Sequence, residues 1–197
     1  ALVRQTLADL GIPHQDHLAL TGVKGNLKGR HSDVRVMVMG ELDAVICPLH
    51  PQADLQTGAA HSCGHNSQIA AMLGAAIGLA PLAGQLDGDV AFVAVPAEEY
   101  VELEYRERLK EDGRIRFFGG KQEYIRLGVL DDIDMGMMIH SHAGVADRHF
   151  LIDCDSSGFI GKLVRFTGRE AHAVARPFDG VNALNAAALS LMAINSQ

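Results

Sequence analysis

Residues 89–99 read Asp89-Val90-Ala91-Phe92-Val93-Ala94-Val95-Pro96-Ala97-Glu98-Glu99, and this stretch decides the fold class. The apolar run that ends at Val95 predicts a buried strand, and Pro96 stops it. Residues 34–40 and 134–140 form similar runs, and helical patterns at 67–82 and 121–128 separate the three strands. This alternation of strands and helices predicts an α/β fold with a mainly parallel sheet and flanking helices.

Metal-binding residue types stand at the ends of these elements. His61-Ser62-Cys63-Gly64-His65-Asn66 precedes the helix at 67–82, Glu98-Glu99 follows one strand, and Ile139-His140-Ser141-His142 closes another. The carboxyl ends of parallel strands meet at one edge of a sheet, where ligands bind. Cys, His and paired Glu are residues that hold a divalent metal and activate water. The sequence therefore predicts a metallohydrolase site at this edge.

Cys63 and His65 have two interpretations. Their thiolate and imidazole, two positions apart on a turn, can converge on one metal ion. For an isolated Cys-x-His, a buried cysteine beside a capping histidine is the better interpretation, and Asn66 is the predicted N-cap of the following helix. The clusters at the other strand ends favour the metal-binding interpretation.

Glu98 and Glu99 are adjacent carboxylates, which usually mark a solvated loop. Beside a metal site at a strand end, one carboxylate can hold the cation while its neighbour takes a proton from metal-bound water. The charge of the metals should keep both carboxylates ionised near neutral pH.

Further histidines and carboxylates are assigned by their position. His140 directly follows a strand, which favours a ligand that faces the site, whereas His142 is predicted to lie in a loop. Asp43 follows the strand at 34–40 and could orient a ligand imidazole; Glu41 is the alternative. A helix or turn cap is a nearly equal role for Asp43. His172 lies in a turn, where a histidine is usually exposed, but that loop could present it to an active site.

These residues and their order resemble the M20 metallopeptidase family, in particular the amidohydrolase branch that cleaves N-acyl amino acids and related amides. The resemblance is carried by Glu41-Leu42-Asp43-Ala44, His61-Ser62-Cys63-Gly64-His65-Asn66, Pro96-Ala97-Glu98-Glu99, Gly119-Gly120-Lys121, His140 and residues 168–177. It implies a zinc-peptidase-like α/β catalytic domain at residues 1–155. It also implies the start of an α+β lid and dimerisation domain at residues 156–197.

The same resemblance implies a centre of two divalent metal ions, with zinc as the first choice because a thiolate favours a softer cation, and manganese as the alternative. The implied ligands are Cys63, His65, Glu99 and His140. Glu98 is implied as the general base, and Asp43 as the aspartate that supports the metal site. His172 is implied as the lid histidine that stabilises the tetrahedral oxyanion. Asn66 stands where many relatives carry Asp, which removes no ligand.

The function implied is hydrolysis of amide bonds in N-acyl amino acids, aryl-amide conjugates or small dipeptides, by a homodimer that forms through the lid domain. The resemblance covers roughly the first half of a typical member, and a further metal-binding histidine of the family falls beyond Gln197. We therefore expect little activity from this chain alone. The alternative is a non-catalytic truncated or split-gene product that acts only in metal binding or assembly.

Composition and charge narrow the function classes. Hydrophobic residues make up 48% of the chain, which argues against wholesale disorder. A net charge of −7 without any basic run argues against nucleic-acid binding. Cys47, Cys63 and Cys154 are widely spaced, which does not indicate a disulfide framework. The apolar run at 69–83 is too short to span a bilayer and contains Pro81. With no signal segment at the start, the expected location is the cytoplasm, without a membrane partner.

Overall fold

The computed structural model describes residues 1–142, 150–152, 158 and 160–196 of the chain. The chain divides into two compact units, Ala1–Leu151 and Ile152–Gln197. The domain boundary predicted at residue 155 lies outside the described residues, so it stays a prediction.

The first unit is built around one mixed sheet. Its strands are β1 (His14–Leu18), β2 (Gly22–Leu27), β3 (Arg35–Glu41), β6 (Asp89–Val95) and β7 (Met135–Met138), and a small separate ribbon pairs β4 (Val45–Ile46) with β5 (Ala59–Ala60). The order across the five-stranded sheet is β1-β2-β6-β3-β7. Strands β6, β3 and β7 are parallel, whereas β1 and β2 form an antiparallel hairpin that was not predicted. The predicted α/β fold class is confirmed.

The helices of the first unit cover both faces of this sheet. They are α1 (Leu2–Asp9), α2 (His65–Leu79, continued by a 3₁₀ turn at Ala80–Gln85), α3 (Leu103–Glu111) and α4 (Gly120–Arg126). Helix α2 connects β3 to β6. Helix α4 lies in the connection from β6 to β7, and β7 pairs with β3 on the side away from β6. The chain therefore moves across the sheet one way from β3 to β6 and the opposite way from β6 to β7, so its direction reverses at β6. Ligands in such sheets bind at the carboxyl ends of the strands beside this reversal.

The hydrophobic core has two layers because side chains alternate along β6. Phe92 points to one face, where it packs with Leu7 of α1 and Met72 of α2. Val93 points to the other face, where it packs with Tyr124 of α4. All five side chains are fully buried, and burial of each contributes about 1.5–3 kcal/mol. The two layers hold β6 rigidly at the centre of the sheet.

Several predicted details were wrong. The N-cap of α2 is Gly64, with a left-handed φ of 102°, so Asn66 lies inside the first turn. Strand β7 is exposed rather than buried, because no described element covers this edge strand. The many charged residues at 101–116 predict a solvated helix, but Arg106 and Leu109 of α3 are buried.

Helix α2 with its 3₁₀ continuation, His65–Gln85, is long and apolar enough to cross a membrane by length and composition. The apolar run at 69–83 was predicted to be too short to span a bilayer, but it belongs to this longer apolar helix. Core helices of globular proteins satisfy the same criterion. Gln68, Met72 and Ala76 are buried, and the two apolar residues belong to the core beside β6, so we interpret α2 as a core helix.

The second unit contains a 3₁₀ turn at Pro177–Asp179 and helix α5 at Ala183–Asn195. The side-chain oxygen of Asn182 caps α5 by accepting hydrogen bonds from two backbone N–H groups of its first turn. The sequence predicts a turn from Pro177 to Gly180 and an amphipathic, Ala- and Leu-rich helix at 181–195, and the structure confirms both. The alternating apolar and polar residues at 159–168 predict a half-exposed strand, but residue 159 is not described and residues 160–168 form no strand.

A buried carboxylate joins the amino-terminal ends of β3 and β6. Asp89 is 3% exposed and accepts hydrogen bonds from the Gly29 N–H at 3.0 Å, the Ser32 hydroxyl at 3.1 Å and the Arg35 guanidinium at 2.9 Å. Burial alone would raise the pKa of Asp89, but these donors and the Arg35 charge together hold it below its ordinary value. Asp89 therefore stabilises the fold mainly in its ionised form.

We expect Asp89→Asn to lower the free energy of unfolding by about 3 kcal/mol near neutral pH, because Arg35 loses its buried carboxylate. Since the native pKa is depressed, the contribution is present above the unfolded pKa of about 3.9 and is lost as pH falls through the native value. Urea denaturation should show the gap to wild type shrinking below about pH 4. Asp87→Asn, at an exposed ion pair with Arg30, is the control and should cost less than about 1 kcal/mol. Equal losses in both variants would contradict this account.

Candidate metal centre

The carboxyl ends of β3, β6 and β7 bring the predicted site residues to one place. Glu41 is the last residue of β3 and stands opposite Val95, the last residue of β6. Glu98 follows β6 by three positions, and His140 follows β7 by two. His65, the first residue of α2, reaches the same edge from the crossover helix. The parallel register is therefore what assembles the site.

His65 lies at the centre of this cluster and is 1% exposed. Its Nδ1 atom is 3.0 Å from the backbone oxygen of Asp43, and because a carbonyl oxygen only accepts, Nδ1 must carry the proton. Nε2 then keeps its lone pair. It lies 2.9 Å from Glu41 Oε2 and 3.8 Å from Glu98 Oε2, yet it is buried without a hydrogen bond of acceptable geometry. A buried imidazole lone pair that faces carboxylates suits a metal ion.

One candidate ligand group consists of Cys63, His65 and His140, whose donor atoms lie within 4.8 Å of one another. Cys63 Sγ is 3.6 Å from His140 Nε2. His140 Nδ1 lies 2.7 Å from the backbone oxygen of Ser141, so the same argument leaves a lone pair on its Nε2. The two imidazole rings meet edge to face. Two nitrogens and one sulfur are a donor set that favours zinc.

A second candidate group consists of Glu41, His65 and Glu98, again within 4.8 Å. The two groups share His65, and one imidazole lone pair can bind only one ion at a time. A second ion must therefore rely on the remaining carboxylate, thiolate and imidazole donors. The donors present are sufficient in kind for a divalent metal in either group.

Gly64 permits the close approach of the segment after β7. A Cβ atom at this position would stand 2.1 Å from the Ser141 hydroxyl, and the left-handed φ disfavours other residues. The Ser141 hydroxyl donates a hydrogen bond to the Cys63 backbone oxygen at 3.2 Å. This contact holds His140 beside Cys63.

Two groups in the pocket, Cys63 and Glu98, have pKa values above their ordinary ones. A hydrogen bond to Glu99, burial and the charges of Glu99, Glu98 and Glu41 raise the pKa of Cys63 to about 11. Burial and the Glu41 charge raise the pKa of Glu98, although Lys121 opposes the shift. Without a bound cation, this pocket thus holds more negative charge than its neighbours compensate. That excess is the electrostatic signature of a cation site.

Asp43 ties the glutamates to His65. One of its carboxylate oxygens accepts a hydrogen bond from the Glu99 N–H at 2.8 Å, and the other lies 3.3 Å from His65 Nδ1. Ala97, just before Glu98, has a left-handed φ of 58°, so the backbone turns sharply where β6 ends. This turn and the Asp43 contact fix the backbone of both glutamates beside the cluster, where Glu98 belongs to the second candidate group and Glu99 to neither.

Two residues of the cluster have contacts that the sequence did not predict. Glu41 was only an alternative to Asp43, yet its side chain is 2% exposed and faces His65 directly. Lys121, in the first turn of α4, places its ammonium 2.5 Å from the other Glu41 oxygen. An acidic residue at the end of a buried strand was the available signal for Glu41. Nothing local in the sequence indicated the partner of Lys121.

His172 belongs to the second unit, where its Nδ1 accepts hydrogen bonds from the backbone N–H groups of Val174 at 3.2 Å and Ala175 at 3.1 Å. The imidazole thus stabilises its own turn. The role of His172 at the metal centre stays a prediction.

We expect Lys121→Met to destabilise the metal-free protein by about 2 kcal/mol, because the buried Glu41 carboxylate loses its cation. A divalent ion at Glu41 and His65 would replace that charge, so zinc should raise the melting temperature more in this variant than in wild type. Thermal unfolding with and without zinc measures both effects. Lys28→Met, at an exposed position, is the control and should behave as wild type. An equal zinc response in all three proteins would contradict this role.

Comparisons with known proteins agree with the geometry. No protein-family model matches the chain. It is 31% identical over 147 residues to a p-aminobenzoyl-glutamate hydrolase of Escherichia coli, covering 73% of this chain and 29% of that protein. It is 25% identical over 205 residues to the N-acetyl-L-cysteine deacetylase of Bacillus subtilis, covering all of this chain and 44% of that protein.

A solved structure has the same fold. The YXEP protein of Bacillus subtilis, described as a dinuclear metal-binding peptidase of the M20 family, superposes with a TM-score of 0.54 and 26% identity. The match covers 70% of this chain and 35% of that one. The chain spans about a third of the length of the first curated relatives that it matches.

Proposed function

Because the chain belongs to the M20 family of metallopeptidases and amidohydrolases, we propose that it provides the metal-binding part of an enzyme that hydrolyses amide bonds. The observation that carries this proposal is the buried His65 lone pair among the Cys63, His140, Glu41 and Glu98 donors. An isolated structural zinc site would not need the two carboxylates, Glu41 and Glu98, that lie beside this imidazole.

We propose that the residues of the pocket divide into ligands and proton carriers. The proposed ligands are Cys63, His65, Glu99 and His140. Cys63, His65 and His140 form one candidate ligand group. Glu99 is proposed from the family resemblance and from its hydrogen bond with Cys63. Glu41 is added by its contact with His65. When bound, two divalent ions would polarise the attacking water and the amide carbonyl. Zinc is proposed because the donor set includes a thiolate, and manganese is the alternative.

Glu98 is proposed as the general base. It lies within 3.8 Å of His65 but is tied down by no described hydrogen bond, so its carboxylate can reach a water in the pocket. It would take a proton from that water and return it to the departing amine. Asp43 is proposed to fix the orientation of His65 through Nδ1. His172 is proposed to stabilise the oxyanion in the assembled enzyme.

The relatives suggest a substrate class. Their names include p-aminobenzoyl-glutamate hydrolase, indole-3-acetyl-aspartic acid hydrolase and N-acetyl-L-cysteine deacetylase. The substrates in these names share an amide bond between an acyl group, in some cases an aromatic one, and an amino acid. We propose the same class of substrate for this protein, and dipeptides as the alternative. We also propose that the protein forms a homodimer through the second unit and is located in the cytoplasm.

The test is hydrolysis of a panel of N-acyl and N-aroyl amino acids and dipeptides by zinc-loaded and manganese-loaded protein. Because little activity is expected of this chain alone, the expected result is slow release of the amino acid, measured by chromatography and abolished by a chelator. The panel should include the matching esters, which test whether the amide itself is required. Metal binding without hydrolysis of any compound would favour a non-catalytic role in metal binding or assembly.

A further inference from the structure

The segment between Glu99 and Gly119 encloses a cavity that the proposed mechanism does not use. The cavity has a volume of about 370 Å³ and lies between α3 and the loops that follow β3 and β6. Its wall is apolar and partly aromatic, with Leu42, Leu109, Ile115, Tyr105, Phe117 and Phe118 among the lining residues. This volume falls in the range of pockets that hold small organic molecules. We name it the α3 cavity.

Arg106 is the unusual member of the wall, because it is only 7% exposed. Its guanidinium donates hydrogen bonds to the backbone oxygens of Phe118, at 2.9 Å, and Glu99, and lies 5.9 Å from the centre of the Tyr100 ring. Within the described part of the chain, no carboxylate reaches ion-pair distance of Arg106. Burial lowers the pKa of this guanidinium, although the more distant charge of Asp43 opposes the shift.

A buried charge without a partner at contact distance is costly, and most buried arginines in proteins pair with an anion. Backbone oxygens satisfy some of the five N–H donors of Arg106 but neutralise none of its charge. A ligand carboxylate would supply that charge in a fork geometry that suits guanidinium. Among the described residues that line the cavity, Arg106 has the only cationic side chain. Thr21 and the carboxylates of Asp43, Glu102 and Glu123 also line the wall, and the other lining side chains are apolar or aromatic.

We propose that the α3 cavity binds a small aromatic carboxylic acid, with its carboxylate on Arg106 and its ring against Tyr105, Phe117 and Phe118. The aromatic side chains favour a planar ring because offset and edge-on ring contacts add to the burial of apolar area. Arg106 also holds the Glu99 backbone, and Asp43 lines the same cavity. An acid bound there therefore contacts the segment that positions the metal-site residues, without belonging to the metal site.

Calorimetric titration of the metal-free protein, kept in chelator, tests this proposal independently of metals and turnover. The probe is 3-phenylpropionate, and the matched neutral compound is 3-phenylpropionamide. We expect the acid to bind at least about tenfold more tightly than the amide, because only the acid pairs with the guanidinium. Arg106→Gln should weaken binding of the acid by about 10- to 100-fold and leave the amide unchanged.

Two further variants keep the test decisive if Arg106→Gln fails to fold. Arg108→Gln changes an exposed arginine on the same helix and should bind the acid as wild type does. Ile115→Trp retains Arg106 but fills the cavity, and should abolish binding while circular dichroism shows a folded protein. The proposal is overturned if the acid produces no saturable heat, if acid and amide bind equally, or if the filled cavity still binds the acid.

Discussion

Glu98→Gln should reduce amide hydrolysis by the metal-loaded enzyme by roughly a thousandfold, with the bound metal retained. Glutamine keeps the shape of the side chain but cannot accept a proton from water. Because the candidate group of Cys63, His65 and His140 does not include Glu98, its replacement should change metal affinity far less than activity. The measurement is kcat on the best substrate of the panel, together with zinc content.

Glu104→Gln provides the matched control, since Glu104 is exposed on α3 and outside the pocket. It should retain wild-type kcat. Near-normal hydrolysis by Glu98→Gln would show that another group takes the proton. Loss of zinc together with activity would show that Glu98 is a ligand, as its place in the second donor group also allows.

His65→Ala should weaken zinc binding by more than about 100-fold. Loss of a residue that only positions a metal ligand typically weakens metal binding by about 10- to 100-fold, so a larger effect identifies His65 as a ligand. His65 is the one residue common to both candidate ligand groups, so its removal affects either arrangement. It also leaves Glu41 and Glu98 without the imidazole between them. Competition with a chromophoric zinc chelator measures the affinity.

His61→Ala is the control for His65→Ala. It lies four positions earlier, is exposed, and belongs to neither ligand group. Its zinc affinity should equal that of wild type. Unchanged affinity in His65→Ala would mean that zinc binds elsewhere on the protein.

The central sheet could be predicted because local pattern and burial agree. The apolar run at 89–95 has no polar residue between Asp89 and Pro96, and it forms the central strand β6, in which every residue except Val90 is buried. The helices on either side have apolar patterns long enough to identify. The metal-binding residue types stand at strand ends, so the parallel topology alone brings them together.

Other features have no local signal in the sequence. The hairpin of β1 and β2 turns through left-handed φ values at His17, Ala19 and Leu20, where no glycine indicates a turn. Strand β7 is as apolar as a buried strand, but what covers an edge strand depends on neighbours that its own residues cannot specify. Pairs remote in sequence, such as Glu41 with Lys121, appear only when the chain has folded.

Cobalt(II) titration of a variant that lacks Cys47 and Cys154 tests the metal centre most directly, because Cys63 is then the only thiol. Cobalt takes zinc sites and shows a charge-transfer absorption band when a thiolate is its ligand. We expect this band to appear and saturate on titration, and to disappear when Cys63 is also replaced by serine. No band with Cys63 present, or the same band after its removal, would contradict the proposed metal centre.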